Sequence, residues 1–332
     1  MLRENDKILV VKPSSLGDIV HSLAFLNTVK ENYPEVKIHW VVGKAFEDLL
    51  NEHPLIEKVF PVDKDRWKNI KNIPQIFKDF FDIGKQLRQE SYQMTIDLQG
   101  LLRSGIITAL SGAPLRWGFK EARELSPLFY NRVVSAKINQ HAVWRYLKMA
   151  EALGCVVSSV KFPLPKEKEP DWLKAFDNYA VIIPSARWQS KNWPIPYFVE
   201  LIKILPNNFI IVGSKSDKEV ASNIEKYSQG KAVSLVGKTS LRELIAVFKK
   251  SIFVISPDTG SMHLAVACGK RVVALFGPTC PERTGPFGNE HLVINSDLPC
   301  SPCFKKYCPE LKCMKEITPK KVYDKIKEWE AL

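Results

Sequence analysis

Short apolar runs alternate along the whole chain with longer amphipathic segments, and turn residues separate the two. Such runs are typical of buried parallel strands, and the longer segments have the spacing of helices that cover a parallel sheet. The first half contains five predicted strands: Lys7–Lys12, Lys37–Val42, Lys58–Val62, Gln93–Leu98 and Leu115–Gly118. The second half contains six: Tyr179–Ile183, Phe209–Gly213, Val233–Val236, Ile252–Ser256, Arg271–Phe276 and His291–Ile294. Because strands and helices alternate in both halves, the pattern predicts an α/β protein of two doubly wound domains with a cleft between them.

A stretch rich in proline and charge, Lys161–Pro170, separates the two series, and we interpret it as an interdomain linker. The chain has 332 residues, more than one core of ordinary size accommodates. We therefore expect an N-terminal domain over residues 1–165 and a C-terminal domain over residues 166–317. Thr318 and Pro319 predict the start of a last helix that runs to residue 332.

The composition is that of a globular protein, with 45% hydrophobic and 25% charged residues. No apolar run approaches the roughly 18 residues of a spanning helix, and the first residues lack the apolar core of a signal peptide, so we expect a cytoplasmic protein. The net charge of +12 favours polyanionic partners. No helix-turn-helix, RNA-recognition or zinc-finger spacing accompanies this charge, which argues against nucleic acid as the partner.

Basic side chains are concentrated between Leu101 and Ala150, where only Glu121 and Glu124 oppose them. They are Arg103, Arg116, Lys120, Arg123, Arg132, Lys137, Arg145 and Lys148. A solvated basic face is one explanation. The arginines are scattered through predicted turns and helix starts, however, and guanidinium groups suit carboxylates and phosphates. This distribution therefore favours a pocket for an acidic ligand.

The segment Ser256–Thr279 predicts a strand, a turn, a helix and a second strand. Its turn, Asp258–Ser261, lies where a strand's carboxyl end meets a helix N-terminus, which favours a bound phosphate. A capped helix that binds nothing is the alternative interpretation. The turn Pro13–Asp18, between the first strand and the first helix, repeats the same arrangement.

Four of the seven cysteines fall within fourteen residues, in the spacing C-x2-C-x4-C-x4-C. They are Cys300, Cys303, Cys308 and Cys313. In a reducing compartment the favoured interpretation is a structural zinc ion held by four thiolates. An iron–sulfur cluster, disulfides and a reduced segment without metal are the open alternatives.

Several of these segments resemble a known family. Pro13–His21 is similar to the N-terminal signature of glycosyltransferase family 9, the ADP-heptose:lipopolysaccharide heptosyltransferases. Asp258–Leu264 and Phe276–Thr279 are similar to its donor-domain signature, and the similarity extends from about Lys7 to Gly288. Further segments are similar to the heptosyltransferase I branch: Asp97–Leu101, Ala122–Glu124, Leu128–Asn131, His141–Val143 and Lys191–Pro194.

The resemblance implies the GT-B fold, with two Rossmann-like domains facing across a cleft, the donor in the C-terminal half, and the last helix packed back on the N-terminal domain. It implies inverting transfer of heptose from ADP-L-glycero-D-manno-heptose to the Kdo of Kdo-lipid A, without a cofactor or an essential metal. A heptosyltransferase II or III, or another family 9 transferase with a different acceptor, is the alternative. The implied location is cytoplasmic and peripheral at the inner membrane, with contact through basic and aromatic surface. Trp67 and Trp117 are candidates for this contact, with core packing as their alternative role.

The resemblance also implies roles for single residues. Asp18 occupies the family's base position, with helix capping as its alternative role, and Lys191 occupies the position of a phosphate ligand. The implied donor-binding residues are Ser14, Ser15, Gly17, Ser185, Lys191, Asp217 (ribose), Thr239 (adenine), Asp258 (heptose hydroxyls), Thr259, Gly260, Ser261 and His263. Capping is the alternative for Asp258, and core packing for His263. The implied acceptor-binding residues are Arg66, Gln99, Arg103, Arg123, His141 and Arg145.

Overall fold

The computed structural model describes residues 2–68, 72–137 and 139–330. The chain divides into two compact units, Met1–Lys166 and Glu167–Leu332. The boundary lies inside the stretch that we interpret as a linker, one residue from the expected start of the C-terminal domain.

The first unit contains a six-stranded parallel sheet in the order β3-β2-β1-β4-β5-β6. Its strands are β1 (Lys7–Val11), β2 (Lys37–Gly43), β3 (Lys58–Val62), β4 (Met94–Asp97), β5 (Leu115–Phe119) and β6 (Arg132–Val134). Its helices are α1 (Leu16–Asn32), α2 (Glu47–Leu50), α3 (Ile73–Arg88), α4 (Leu102–Leu110) and α5 (Ala142–Ala152). The sequence pattern does not predict β6, because this strand has three residues at the sheet edge and two of them are exposed.

The second unit contains another six-stranded parallel sheet, in the order β12-β11-β10-β7-β8-β9. Its strands are β7 (Tyr179–Ile182), β8 (Asn208–Ile211), β9 (Ala232–Ser234), β10 (Val254–Pro257), β11 (Val272–Phe276) and β12 (Leu292–Asn295). Its helices are α6 (Ile195–Ile204), α7 (Lys218–Tyr227), α8 (Leu241–Lys250), α9 (Gly260–Ala267), α10 (Pro281–Thr284), α11 (Lys312–Glu316) and α12 (Pro319–Glu330). Both sheets have the strand order of a doubly wound Rossmann-like fold.

Burial on both faces explains why the central strands are apolar throughout. The four residues Ile8–Val11 of β1 are fully buried, and so is the run Ala180–Ile182 of β7. Helix α1 is also buried over most of its length, and α5 packs against it. The turn between β1 and α1 is therefore held between two elements of the core. Within the described ranges, no helix is both long enough and apolar enough to cross a membrane.

The last helix packs within the second unit. Val322 and Ile326 of α12 are fully buried in the core of that unit, where the helix contacts α6 and β12. Just before the helix, Trp193 Nε1 donates a hydrogen bond to the carbonyl of Ile317 at 2.7 Å. The family resemblance implies that this helix packs back on the N-terminal domain, and the contacts described here place its apolar stripe on the second unit.

Glu90 joins two strands of the first unit. Its carboxylate accepts hydrogen bonds from Lys58 Nζ at 2.6 Å and from Lys7 Nζ at 3.1 Å. These bonds, chiefly the one from Lys58, lower the pKa of Glu90 from 4.5 to about 2. Because the folded pKa lies below the unfolded one, the pairs stabilise the fold above pH 4.5, and this contribution is lost as the pH falls towards 2.

We therefore expect Glu90→Gln to lower the free energy of unfolding at neutral pH. The free energy of unfolding of the variant should also fall less steeply than that of the wild type as the pH is lowered. Because the lysines are partly exposed, solvent screens the two ion pairs. We therefore expect the free energy of unfolding to fall by about 1–2 kcal/mol, less than the ~3 kcal/mol that corresponds to the whole pKa shift of Glu90. Urea unfolding of both proteins at pH 7, 5 and 3 measures this. An acid dependence equal to that of the wild type would show that the two ion pairs contribute nothing.

Candidate active site

The predicted site residues follow the strands that lie at the middle of each sheet. β1 and β4 are neighbours in the first sheet, and β7 and β10 are neighbours in the second. Loops that leave such a pair run to opposite faces of the sheet, which opens a crevice at the carboxyl ends where α/β proteins bind ligands. Asp18 follows β1 and Gln99 follows β4, while Lys191 follows β7 and Asp258 follows β10. Each unit therefore has candidate residues at its own crevice.

Asp18 caps helix α1. Its Oδ2 accepts hydrogen bonds from the backbone N–H of Ser15 at 3.0 Å and from the Ser15 hydroxyl at 2.7 Å. Its Oδ1 lies 3.5 Å from the hydroxyl of Tyr146, on α5. The two roles considered for Asp18 are compatible, because capping is concentrated on one carboxylate oxygen while the other faces α5.

Lys12, at the end of β1, is a buried cation beside this carboxylate. Only 3% of its surface is exposed, and its Nζ lies 5.4 Å from the centre of the Tyr146 ring. Burial lowers the pKa of Lys12, whereas the negative charges of Asp18 and Asp97 raise it. Burial, followed by the charge of Asp18, raises the pKa of Tyr146. Lys12, at the end of β1, and Asp97 of β4 are thus buried charges next to the Asp18 turn, where little water screens them from one another.

Asp97 anchors the loop after β4. It is fully buried, and its carboxylate accepts hydrogen bonds from the Tyr130 hydroxyl at 2.6 Å and from the backbone N–H groups of Gln99 and Gly100 at 2.8 and 3.0 Å. Burial raises the pKa of this carboxyl group, and the hydrogen bonds oppose the rise. The Oε1 atom of Gln99 in turn accepts a hydrogen bond from the N–H of Ser14 at 3.0 Å. This network connects the Asp18 turn to β4.

The structure gathers only part of the predicted acceptor set at this place. The N–H of Arg123 donates to the carbonyl of Gly100, in the loop after β4, at 2.9 Å. Arg145 precedes Tyr146 on α5, and its guanidinium lies 5.7 Å from the centre of the Phe119 ring. His141 caps α5, where its Nδ1 accepts from the N–H of Val143 at 3.2 Å, and its ring lies 5.3 Å from the ring of His21.

Arg66 and Arg103 belong to a different place in the first unit. Arg66 pairs with Asp63 at 3.3 Å and Asp79 at 3.4 Å, and it lines a pocket of about 290 Å³. Arg103 donates a hydrogen bond to the carbonyl of Trp67 at 2.7 Å. The acceptor-side arginines thus form two groups, one at the β1–β4 crevice and one beside α3.

The clearest pair in the second unit is Lys191 with Asp258. Lys191 Nζ lies 2.7 Å from Asp258 Oδ2, and the two side chains are 16% and 8% exposed. Lys191 Nζ also lies 4.5 Å from the centre of the Trp188 ring. The hydroxyl of Thr284 lies 3.5 Å from the same carboxylate oxygen. Two predicted donor residues, 67 positions apart, therefore meet at the crevice between β7 and β10.

Asp217 and Ser185 form a second pair at this sheet edge. The Ser185 hydroxyl donates to Asp217 Oδ1 at 2.9 Å, and Asp217 Oδ2 accepts from the N–H and hydroxyl of Ser214, both at 2.7 Å. Thr239 is half-buried just before α8. His263, inside α9, is buried.

Thr259 is the N-cap of α9, and Gly260 and Ser261 open the helix. The first N–H groups of a helix lack partners within it and carry the positive end of its dipole. They are therefore available for an anion at the end of β10, next to Lys191. Ser14, Ser15 and Gly17 lie instead at the start of α1, in the first unit.

In the described part of the chain, no group of three or more His, Cys, Asp or Glu side chains is arranged to hold a metal ion, and the four clustered cysteines are no exception. Cys300 is exposed, whereas Cys313 is buried beside Met314 in the core of the second unit. Burial raises the pKa of the Cys313 thiol, and the other three cysteines add to this rise. The zinc prediction is therefore not confirmed.

The cysteine-containing segment instead supports both loops of the second-unit crevice. The Ser190 hydroxyl and N–H donate to the carbonyls of Lys305 and Lys306, at 2.5 and 3.3 Å. The N–H of Phe304 donates to the carbonyl of Pro278 at 2.8 Å. Through these bonds the segment holds the neighbour of Lys191 and the loop after β11.

Sequence reasoning missed Lys12, Tyr130, Tyr146 and Trp188. A lysine at the end of an otherwise apolar strand is the signal that could have identified Lys12, since a buried strand end leaves little room for a solvated ammonium group. Tyr130 lies in the segment Leu128–Asn131, which resembles the family, but its partner Asp97 is 33 residues away. Such a pairing is visible only in the fold.

Comparison with known proteins identifies related chains. The model of "Glycosyltransferase family 9 (heptosyltransferase)" matches residues 80–314. Lipopolysaccharide heptosyltransferase 1 of Pseudomonas aeruginosa is 31% identical over 91% of this chain and 87% of its own length. The protein of the same name from Escherichia coli K12 is 30% identical over 87% of this chain and 93% of its own length. The solved structure of E. coli heptosyltransferase WaaC with ADP superposes with a TM-score of 0.81 and 27% identity, covering 97% of this chain and 99% of that one.

Proposed function

Because the chain belongs to glycosyltransferase family 9 and has the GT-B fold class of its structural neighbours, we propose that it transfers heptose from ADP-L-glycero-D-manno-heptose to the Kdo of Kdo-lipid A. Its similarity to heptosyltransferases of the lipopolysaccharide core supports this assignment over nine-tenths of the chain. The observation that carries the proposal is the Asp18 carboxylate at the β1–β4 crevice, with Arg123 and Arg145 nearby. A base beside guanidinium groups suits an acceptor that is itself acidic.

The proposed step is a single displacement with inversion. An acceptor hydroxyl oxygen attacks the anomeric carbon of the heptose, and Asp18 takes the hydroxyl proton. The bond between that carbon and the phosphate oxygen breaks, and its electron pair leaves with ADP. A general base placed in this way contributes about 10²–10⁴-fold to the rate.

The leaving diphosphate gains negative charge as the bond breaks. Lys191 and the first N–H groups of α9 supply the positive charge that stabilises it. The helix end contributes only about 0.3–1 kcal/mol for a single charge, so Lys191 has the larger role. We assign the ribose contact to Asp217, the adenine contact to Thr239 and the sugar-hydroxyl contact to Asp258. The step as written requires no metal ion.

A transfer assay tests the proposal directly. Wild-type protein is incubated with ADP-heptose and deacylated Kdo₂-lipid A in excess EDTA, and the product and its anomeric configuration are determined. Turnover to a heptosyl-Kdo product with inverted configuration is expected. ADP binding without turnover would overturn the acceptor assignment, and turnover only on an acceptor that already carries one heptose would assign the enzyme to a later step.

Lys12→Met is expected to move the acidic limb of the pH profile of kcat/KM to higher pH, because it removes a positive charge that favours ionised Asp18. Lys12→Arg keeps the charge and should keep the limb in place. Burial lowers the pKa of Lys12, so keeping this side chain charged destabilises the fold at any pH below the lowered pKa. Lys12→Met removes this cost, and it should therefore not lower the Tm at pH 7. A lower kcat with an unmoved acidic limb would show that Lys12 only supports the structure.

We also propose that the enzyme works at the cytoplasmic face of the inner membrane as a peripheral protein, since its proposed acceptor is a lipid. Trp67 is not part of such a contact. It is buried, its ring stacks on Phe80 at 4.7 Å, and its Nε1 donates to Asp79 at 3.0 Å. Trp117 is only partly exposed.

A further inference from the structure

An apolar surface covers the outer side of α3, α4 and the neighbouring 3₁₀ helix Ser126–Phe129. Phe77 and Phe81 of α3 are 73% and 71% exposed, and Leu125 and Leu128 are 69% and 78% exposed. Leu102, at the start of α4, is also exposed. Single exposed apolar residues are common on proteins, but several on neighbouring elements indicate an interaction surface. We call these five residues the α3–α4 surface.

The elements that carry this surface lie side by side. Helix α3 contacts α4, and α4 contacts the Ser126–Phe129 helix. Two glycines permit the close approach. A Cβ atom on Gly84 would lie 3.3 Å from Leu110, and one on Gly105 would lie 2.7 Å from the ring of Phe129. The exposed side chains therefore belong to one layer of the first unit.

Core packing does not account for the two phenylalanines. Ile83 and Leu87 of α3 are buried in the core, and Ile76 and Phe80 pack against it. Phe77 and Phe81 each follow one of these residues, which rotates them by about 100° around the helix, away from the core stripe. Polar residues at these two positions would leave the core intact.

Cations border the α3–α4 surface. Lys78 and Lys85 occupy the next positions around α3, beyond Phe81, and both are exposed. Arg88, near the end of α3, is exposed as well, and the acidic residues of this helix are Asp79, which is half-buried, and Asp82, which is exposed. A two-fold contact between copies of the chain would bring these cations together, which opposes self-association. An anionic lipid surface instead complements both the cations and the apolar side chains.

We propose that the α3–α4 surface binds the headgroup region of an anionic membrane, with Phe77, Phe81 and Leu128 inserted among the acyl chains. This inference deepens the proposed function, on which it rests for the lipid nature of the acceptor. It names the face of the first unit that lies against the bilayer.

Vesicle co-sedimentation in the absence of substrates tests the proposal. The vesicles contain phosphatidylethanolamine and phosphatidylglycerol, and vesicles of phosphatidylcholine provide the neutral comparison. We expect the wild type to bind the anionic vesicles and the double variant Phe77→Ser/Phe81→Ser to bind at least about tenfold more weakly. Lys78→Gln/Lys85→Gln should lose about fivefold for each charge removed, and added salt should weaken wild-type binding.

The matched controls are Val156→Ser and Tyr227→Ser, which remove exposed apolar groups elsewhere, at 72% and 54% exposure. Both should bind vesicles as the wild type does. Turnover of the phenylalanine variant on deacylated, water-soluble acceptor should be unchanged, which separates this proposal from the assignment of the reaction. Absence of wild-type binding, equal binding by the phenylalanine variant, or a dimer that this variant dissociates would each overturn the proposal.

Discussion

Asp18→Asn is expected to lower kcat for heptose transfer by at least about 10²-fold and to leave ADP binding unchanged, because it removes the proposed base. Asparagine has nearly the same shape, and its amide oxygen can still accept hydrogen bonds from the N–H and hydroxyl of Ser15. The cap of α1 and the fold of the turn are therefore retained. What is lost is the ability to take a proton. Steady-state transfer on soluble acceptor and calorimetric ADP titration measure the two quantities.

Glu243→Gln is the matched control for capping. Glu243 Oε2 accepts from the N–H of Ser240 at 2.7 Å, and the Glu243 N–H donates to the Ser240 hydroxyl at 3.3 Å, so it caps α8 much as Asp18 caps α1. This variant should keep the wild-type kcat. If Asp18→Asn retained activity within a few-fold of the wild type, as Glu243→Gln should, Asp18 would be a cap and the base would have to be sought among its neighbours.

The sequence pattern predicts most of the fold because a parallel sheet buried on both faces requires apolar strands, and short turns mark their ends. β1 and β7 can be predicted from the sequence for this reason. β6 cannot be predicted in this way, because its three residues lie at the sheet edge and two of them are exposed, so that they form no apolar run. The packing of α12 cannot be predicted either, because Val322 and Ile326 define an apolar stripe but do not indicate which unit the stripe packs against.

The site could be predicted only where function and local structure coincide. The turns that hold Asp18 and Asp258 combine a strand end with a helix start, and this combination is visible in sequence. The contact between Lys191 and Asp258 is not, because the strand order alone brings residues 67 positions apart together. The same holds for Phe77 and Phe81. In sequence they extend the apolar stripe of α3, and only the packed helix shows that they lie outside the core.

Lys191→Met is expected to lower kcat/KM for heptose transfer by about 10²–10³-fold, comparable to the loss of one preorganised donor at a developing charge. The variant also leaves Asp258 as a buried, unpaired carboxylate, which costs about 3–5 kcal/mol of stability. Thermal unfolding must therefore accompany the kinetics. Lys249→Met is the matched control, since it breaks an exposed ion pair with Glu167 in the same unit, and its activity should be unchanged.

The double variant Lys191→Met/Asp258→Asn separates two roles for Asp258. If Asp258 serves only to hold Lys191, the double variant should be as active as Lys191→Met and more stable, because the unpaired charge is gone. If Asp258 also binds the sugar hydroxyls, the double variant should lose a further tenfold or more in kcat/KM, a typical effect of an unmade hydrogen bond to a charged group. Wild-type activity in Lys191→Met would contradict the role of Lys191 at the leaving diphosphate, and with it the role of Asp258 in holding Lys191. Another cation would then have to stabilise the leaving diphosphate, because the ~0.3–1 kcal/mol that the N-terminus of α9 supplies is too small.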